Sequence, residues 1–125
     1  MKRNDILIKV LSLAFFARRN GLKIRVAESC TSGLLASLLG SLAGSSAWFD
    51  FGIVCYSNFS KKTLLAVDLN SVKFHGSVSK IVASQMLAGL EKIPPEKKNK
   101  LYLFSSITGI AGPTGGSEKK PRGLV

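Results

Sequence analysis

The sequence predicts an α/β fold, and two observations carry that prediction. Short apolar runs of strand length alternate with longer stretches whose apolar residues recur at helical spacing, and such alternation packs as a layered α/β sandwich. The chain has 125 residues, enough for one hydrophobic core. Residues 1–125 are therefore read as a single domain, with no internal repeat or linker.

The first element is a helix over about residues 4–20. Ile6, Leu7, Val10, Leu11, Leu13, Ala14 and Ala17 recur at helical spacing, and Gly21 can end the helix. Lys2-Arg3 followed by apolar residues has some look of a signal peptide. However, Asp5 and Lys9 interrupt the run, and no small-x-small cleavage site precedes a plausible mature start. The segment is also too short and too charged to span a membrane, so a packed helix in a cytoplasmic protein is expected. A short strand at 23–27 leads to a helix over about 31–42, whose apolar stripe begins at Leu34. A strand at 51–56 precedes a helical stretch from Ser60 to Val67. A second long helix runs from about Ser79 to Lys92, with Val78, Val82, Met86 and Leu90 on one face. Pro94-Pro95 and the charge run Glu96 to Lys100 form a surface loop. Leu101 to Ile107 is the next strand, apolar and short enough to be buried.

Hydrophobic residues make up 46% and charged residues 20%, which places the chain among globular rather than disordered proteins. Eighteen basic against seven acidic residues give a net charge of +11, which favours anionic partners. The basic residues are dispersed in small groups, Lys2-Arg3, Arg18-Arg19, Lys97-Lys98 and Lys119-Lys120. No aromatic RNA-reading motif, zinc-finger spacing or basic leucine-zipper pattern accompanies them, so a solvated basic surface is preferred to a nucleic-acid interface. The two cysteines, Cys30 and Cys55, are read as buried free thiols of a reducing compartment. One histidine and scattered carboxylates offer no ligand cluster, so neither metal nor cofactor is expected.

The most informative stretch is Ala27-Glu28-Ser29-Cys30-Thr31-Ser32-Gly33, which joins a strand to a helix. A serine at such a turn is presented at the rim of the sheet, beside helix N–H groups that can hold an oxyanion. Cys30 and Thr31 would supply the elbow and its donors. Taken alone, the stretch reads better as a helix N-terminus with Ser29 or Thr31 capping orphan amides, and what overturns that reading lies further along the chain. Cys30 is a poor nucleophile candidate, because no partner histidine is evident beyond His75.

Four more segments bear on the choice: Gly44-Ser45-Ser46-Ala47-Trp48-Phe49, Gly52 to Lys61, His75-Gly76-Ser77-Val78-Ser79, and Thr108 to Ser117. In order and spacing they resemble the C-terminal domain of the competence-damage protein CinA, which also occurs alone as a nicotinamide-mononucleotide amidohydrolase. The resemblance covers essentially the whole chain. It implies a three-layer α/β/α sandwich and a Ser/Lys amidohydrolase that converts nicotinamide mononucleotide to nicotinate mononucleotide and ammonia. Ser29 would be the nucleophile and Lys61 the base, with the Tyr56 hydroxyl bridging the two or relaying a proton. Thr108 would stand near the scissile amide. Gly109 and Gly112 would let backbone amides approach the ligand, and Ser46 is a lesser candidate for substrate contact. A lysine acts as a base only when neutral, so burial and nearby positive charge such as Lys62 would have to lower its pKa. Asn58 could bind substrate or make an Asx turn, and the turn is preferred; His75 and Glu28 are read as structural. Ser32 departs from the family, which has glycine there, and a side chain facing the ligand would crowd it.

In the resembled family further strands and a last helix, carrying an arginine near the site, follow the point at which this sequence stops. A sheet without them exposes a strand edge and apolar helix faces, so self-association into a homo-oligomer is expected. Two other functional readings stay open: a non-catalytic remnant of the enzyme, and a basic nucleic-acid-binding module.

Overall fold

A computed structural model describes residues 3–125, with side chains from Asp5 onward; Lys2 of the first basic pair lies outside them. Three parallel strands form one sheet in the order β2-β1-β3. They are β1 (Leu22–Glu28), β2 (Phe49–Val54) and β3 (Leu101–Ile107). Register runs from Leu22 opposite Leu101 to Glu28 opposite Ile107 on one side. On the other side, Ile24 to Glu28 pair with Phe49 to Val54 across one irregularity, between Ile24 and Arg25. β1 is thus the central strand, which explains why Ile24 through Glu28 are all buried.

Alternation along β1 sends successive side chains to opposite faces, and a helical layer covers each face. Ile24 and Val26 join Val10, Ala14 and Ala17 of α1 (Arg3–Arg19), Leu39 of α2 (Leu34–Gly40), and Trp48. On the other face Ala27 packs with Leu65 of α3 (Asn58–Leu65) and with Val82, Met86 and Leu90 of α5 (Lys80–Glu91). This is the expected α/β/α layering. Neighbouring elements meet closely where glycine permits it. A Cβ on Gly52 would stand 2.6 Å from that of Ala36, and one on Gly89 would stand 2.3 Å from the Leu65 carbonyl oxygen.

Three boundaries differ from expectation for identifiable reasons. The helix predicted from 31 starts only at Leu34, because Ser32 and Gly33 take positive φ values of 50° and 93°. The third helix starts at Asn58, two residues early, because the Ser57 hydroxyl accepts from the Ser60 amide at 3.0 Å and caps it. An unpredicted helix, α4 (Leu69–His75), follows Asp68, whose carboxylate accepts from the Asn70 amide. Its seven residues, with Leu69 and Val72 alone at helical spacing, are too short a pattern to announce it. Among the described residues, no helix is long and apolar enough to cross a membrane. Leu101 and Leu103 of β3, and Phe15 and Phe16 of α1, remain exposed.

Candidate active site

Strand β1 delivers Ser29 to the carboxyl-terminal rim of the sheet, where open parallel sheets place their ligands. The Ser29 amide donates to the Ile107 carbonyl at 2.9 Å, and the Cys55 amide donates to the Glu28 carbonyl at 2.8 Å. The turn is therefore tied to both neighbouring strands. Glu28, only 1% exposed, fixes it from the helix side. Its carboxylate accepts from the Thr31 hydroxyl at 2.5 Å and from the Leu35 and Ala36 amides at 3.0 and 2.7 Å. Glu28 thus caps α2, which makes it a structural acceptor. Thr31 serves that cap through its side chain. Among the described residues, neither the Cys30 nor the Thr31 amide donates to a carbonyl, so both are available as anion donors.

Lys61 comes from the first turns of α3 and points inward at 1% exposure. Its Nζ lies 2.9 Å from Ser29 Oγ and donates to the Tyr56 carbonyl at 3.0 Å. Burial pulls the Lys61 pKa below the ordinary lysine value, while the nearby thiols of Cys55 and Cys30 act in the opposite sense. The cause expected from sequence was partly wrong: Lys62 is exposed, and burial does what neighbouring positive charge was expected to share. Cys55 is fully buried, and burial pushes its thiol pKa up.

Tyr56 needs a correction. Its side chain is 64% exposed, and no hydroxyl contact to Ser29 or Lys61 exists; the backbone carbonyl makes the contacts. The strand ends at Val54, so the chain is already turning at Tyr56 and directs that carbonyl inward.

Ser29, Cys30, Lys61, Thr108, Gly109 and Gly112 line one cavity of about 470 Å³. Thr108 follows β3 directly, and its hydroxyl donates to the Ser77 carbonyl at 3.0 Å. Gly109 is needed for packing: a Cβ there would meet Cys30 Sγ at 2.9 Å and the Leu124 carbonyl oxygen at 2.6 Å. Gly112 has φ 88°, a conformation that favours glycine. Ser46 does not belong to this site. It lies in the short 3-10 turn Ser45–Ala47 ahead of β2, at the opposite end of the sheet, where its carbonyl accepts from Lys23 Nζ. Ser32 is exposed and outside the cavity lining, so it does not crowd a ligand.

The sequence reading passed over one residue and preferred a turn for another. Ser77, seen only as part of a turn, links the Thr108 segment to α3. Asn58 lines the cavity rather than making the turn, because Ser57 already caps the helix. His75 ends α4, and its carbonyl accepts from Lys120 Nζ, which fastens the glycine-rich segment to that helix. No group of three or more metal-ligating side chains exists among the described residues.

Known proteins resemble this chain along most of its length. CinA-like proteins of Trichodesmium erythraeum and Syntrophomonas wolfei are 49% and 43% identical over 106 and 122 residues, covering 85% and 98% of the chain. The chain spans only 24% and 28% of their lengths, about a quarter. The crystal structure of a competence/damage inducible protein from Agrobacterium tumefaciens superposes with a TM-score of 0.81 at 37% identity, over 95% of this chain and 69% of that one. A CinA superfamily protein from Escherichia coli superposes with a TM-score of 0.83 at 28% identity, over 98% and 69%. The CinA C-terminal domain model matches residues 9–125, a span holding the elbow, the lysine helix and the glycine-rich segment alike, and the chain belongs to that family.

Proposed function

We propose that the chain is an amidohydrolase acting on a pyridine mononucleotide, converting nicotinamide mononucleotide to nicotinate mononucleotide and ammonia. The observation that carries this reading is the 2.9 Å contact between Ser29 Oγ and a buried lysine amine whose pKa is lowered. With Lys61 neutral, its lone pair takes the Ser29 proton as Oγ attacks the carboxamide carbon. The resulting oxyanion is met by the amides of Cys30 and Thr31. Lys61 then returns the proton to the leaving nitrogen, the C–N bond breaks, and ammonia departs from an ester on Ser29. A water deprotonated by the same amine hydrolyses that ester, giving the acid and free Ser29. The Tyr56 carbonyl, accepting from Nζ throughout, stabilises the ammonium that exists between proton transfers.

The test is ammonia release from nicotinamide mononucleotide by the purified chain, without added metal. Ser29→Ala should abolish turnover and Lys61→Ala should nearly do so, and the losses should not add because the two act as one unit. Wild-type turnover that survives Ser29→Ala refutes the mechanism. A folded protein without turnover is instead a non-catalytic relative. Self-association belongs to the same proposal, supported by the exposed Leu101 and Leu103 on the open strand β3.

A further inference from the structure

The Asn58 side chain stands on the first turn of α3, one turn before Lys61, and lines the cavity that contains Ser29. Its Oδ1 accepts from the Ser77 hydroxyl at 2.7 Å. Ser77 in turn is held by its carbonyl, which accepts from the Thr108 hydroxyl at 3.0 Å. With Oδ1 accepting from Ser77, the two Nδ2 hydrogens of the exposed Asn58 carboxamide are left for other acceptors. No acceptor meets them among the described residues. Helix capping does not need this side chain either, since Ser57 performs it.

We infer that Asn58 is a substrate-reading residue: its Nδ2 group donates to an oxygen acceptor of the bound ligand, and Ser77 is the positioning residue that aims it. The inference rests on the amidohydrolase reading for the identity of the ligand, a mononucleotide rich in ribose and phosphate oxygens. It does not rest on turnover. The same network joins three separate segments of the cavity wall, α3, the turn after α4, and the end of β3. A ligand oxygen on Nδ2 therefore engages all three at once.

The experiment measures nicotinamide mononucleotide binding by calorimetry in a Ser29→Ala background, where no turnover interferes. Asn58→Asp keeps an acceptor for Ser77, suits the first turn of a helix, and removes the donor. It should weaken binding by about tenfold or more, the usual scale of a lost hydrogen bond that leaves a partner unmet. Ser77→Ala should weaken binding a few-fold by freeing the carboxamide, and Ser77→Thr should restore it. In the Asn58→Ala background, Ser77→Ala should add nothing, because nothing is left to aim. With Ser29 restored, Asn58→Asp should raise KM more than it lowers kcat. Binding unchanged by Asn58→Asp, or additive effects of the two alanine variants, overturns the inference. If the wild type binds in an Asn58-dependent way yet releases no ammonia, the inference stands and the amidohydrolase reading falls.

Discussion

Replacing Gly89 by alanine should damage stability and turnover together, although Gly89 lies outside the cavity. An added Cβ would stand 2.3 Å from the Leu65 carbonyl oxygen and 2.7 Å from its Cα and Cβ, where ordinary contact begins at 3.4 Å. One of the two helices must retreat by about 1 Å, since a backbone oxygen cannot rotate aside as a side-chain end would. Overpacking of this kind costs about 1–3 kcal/mol, and the backbone clash places it near the upper end. The alanine regains about 1 kcal/mol of helix propensity, leaving a net loss of about 2 kcal/mol. For a domain of this size that lowers Tm by about 8 °C. Leu65 is one turn beyond Lys61 on α3, so the same retreat stretches the 2.9 Å contact to Ser29 out of hydrogen-bond range. A misplacement of about 1 Å at a reacting group costs about a hundredfold in rate. Thermal melting by circular dichroism and the kcat for ammonia release read the two effects separately. A variant that melts with the wild type and turns over at its rate would refute the claim that this contact seats Lys61.

The pH dependence follows from the direction of the Lys61 shift. Burial lowers its pKa, so between the folded value and the unfolded ~10.4 the unfolded chain binds more protons, and stability contributed by this group rises with pH across that window. Lys61→Met removes the penalty, so its gain over wild type in urea midpoint should be largest at neutral pH and fade towards pH ~10; a gain independent of pH contradicts the assignment. Activity should rise with pH as the amine loses its proton, with an apparent pKa below that of free lysine. Ser32→Gly should raise stability by about 1 kcal/mol, because φ 50° costs a serine strain that glycine does not carry, and should leave turnover unaltered; a lower Tm contradicts this. Arg25, 3% exposed, bonds Asp50 and the Ile93 and Pro94 carbonyls between the rings of Phe51 and Tyr102. Arg25→Met should cost about 3 kcal/mol in denaturant titration yet spare kcat below the melting range, since four strand residues, about 13 Å, separate it from Ser29.

What the sequence discloses is set by how each residue acts. The layering was legible because β1, β3, α1 and α5 carry periodic or continuous apolar runs that need no distant information. Ser29, Lys61 and Thr108 could be named because their motifs fix the residue types, and each lies at or near an element end that the pattern already reveals. Tyr56 was misassigned because a motif specifies a side chain, whereas here the backbone carbonyl makes the contact and any residue has one. Ser46 was misplaced because its motif was taken for a contact, whereas a residue ahead of a strand in a parallel sheet lies at the end opposite the residues that follow the strands. Arg25 and Ser77 were invisible for another reason. Their partners lie 19 to 69 residues away, and only the assembled sheet and turns make the contact.

The central position of β1 has a consequence for how the site exists at all. Ser29 and Lys61 are 32 residues apart in sequence, and Thr108 reaches Ser77 across 31. Both contacts close long loops, and the entropy of closing them is recovered only when both neighbouring strands have joined β1. No peptide excised from the chain contains a local version of the dyad. Nor can either helical layer detach while the other keeps the serine and lysine in register, because one layer caps the elbow and the other carries the amine. The Ser29–Lys61 contact is therefore an all-or-none property of the folded chain, and its chemistry counts folded molecules rather than the fraying of any one element.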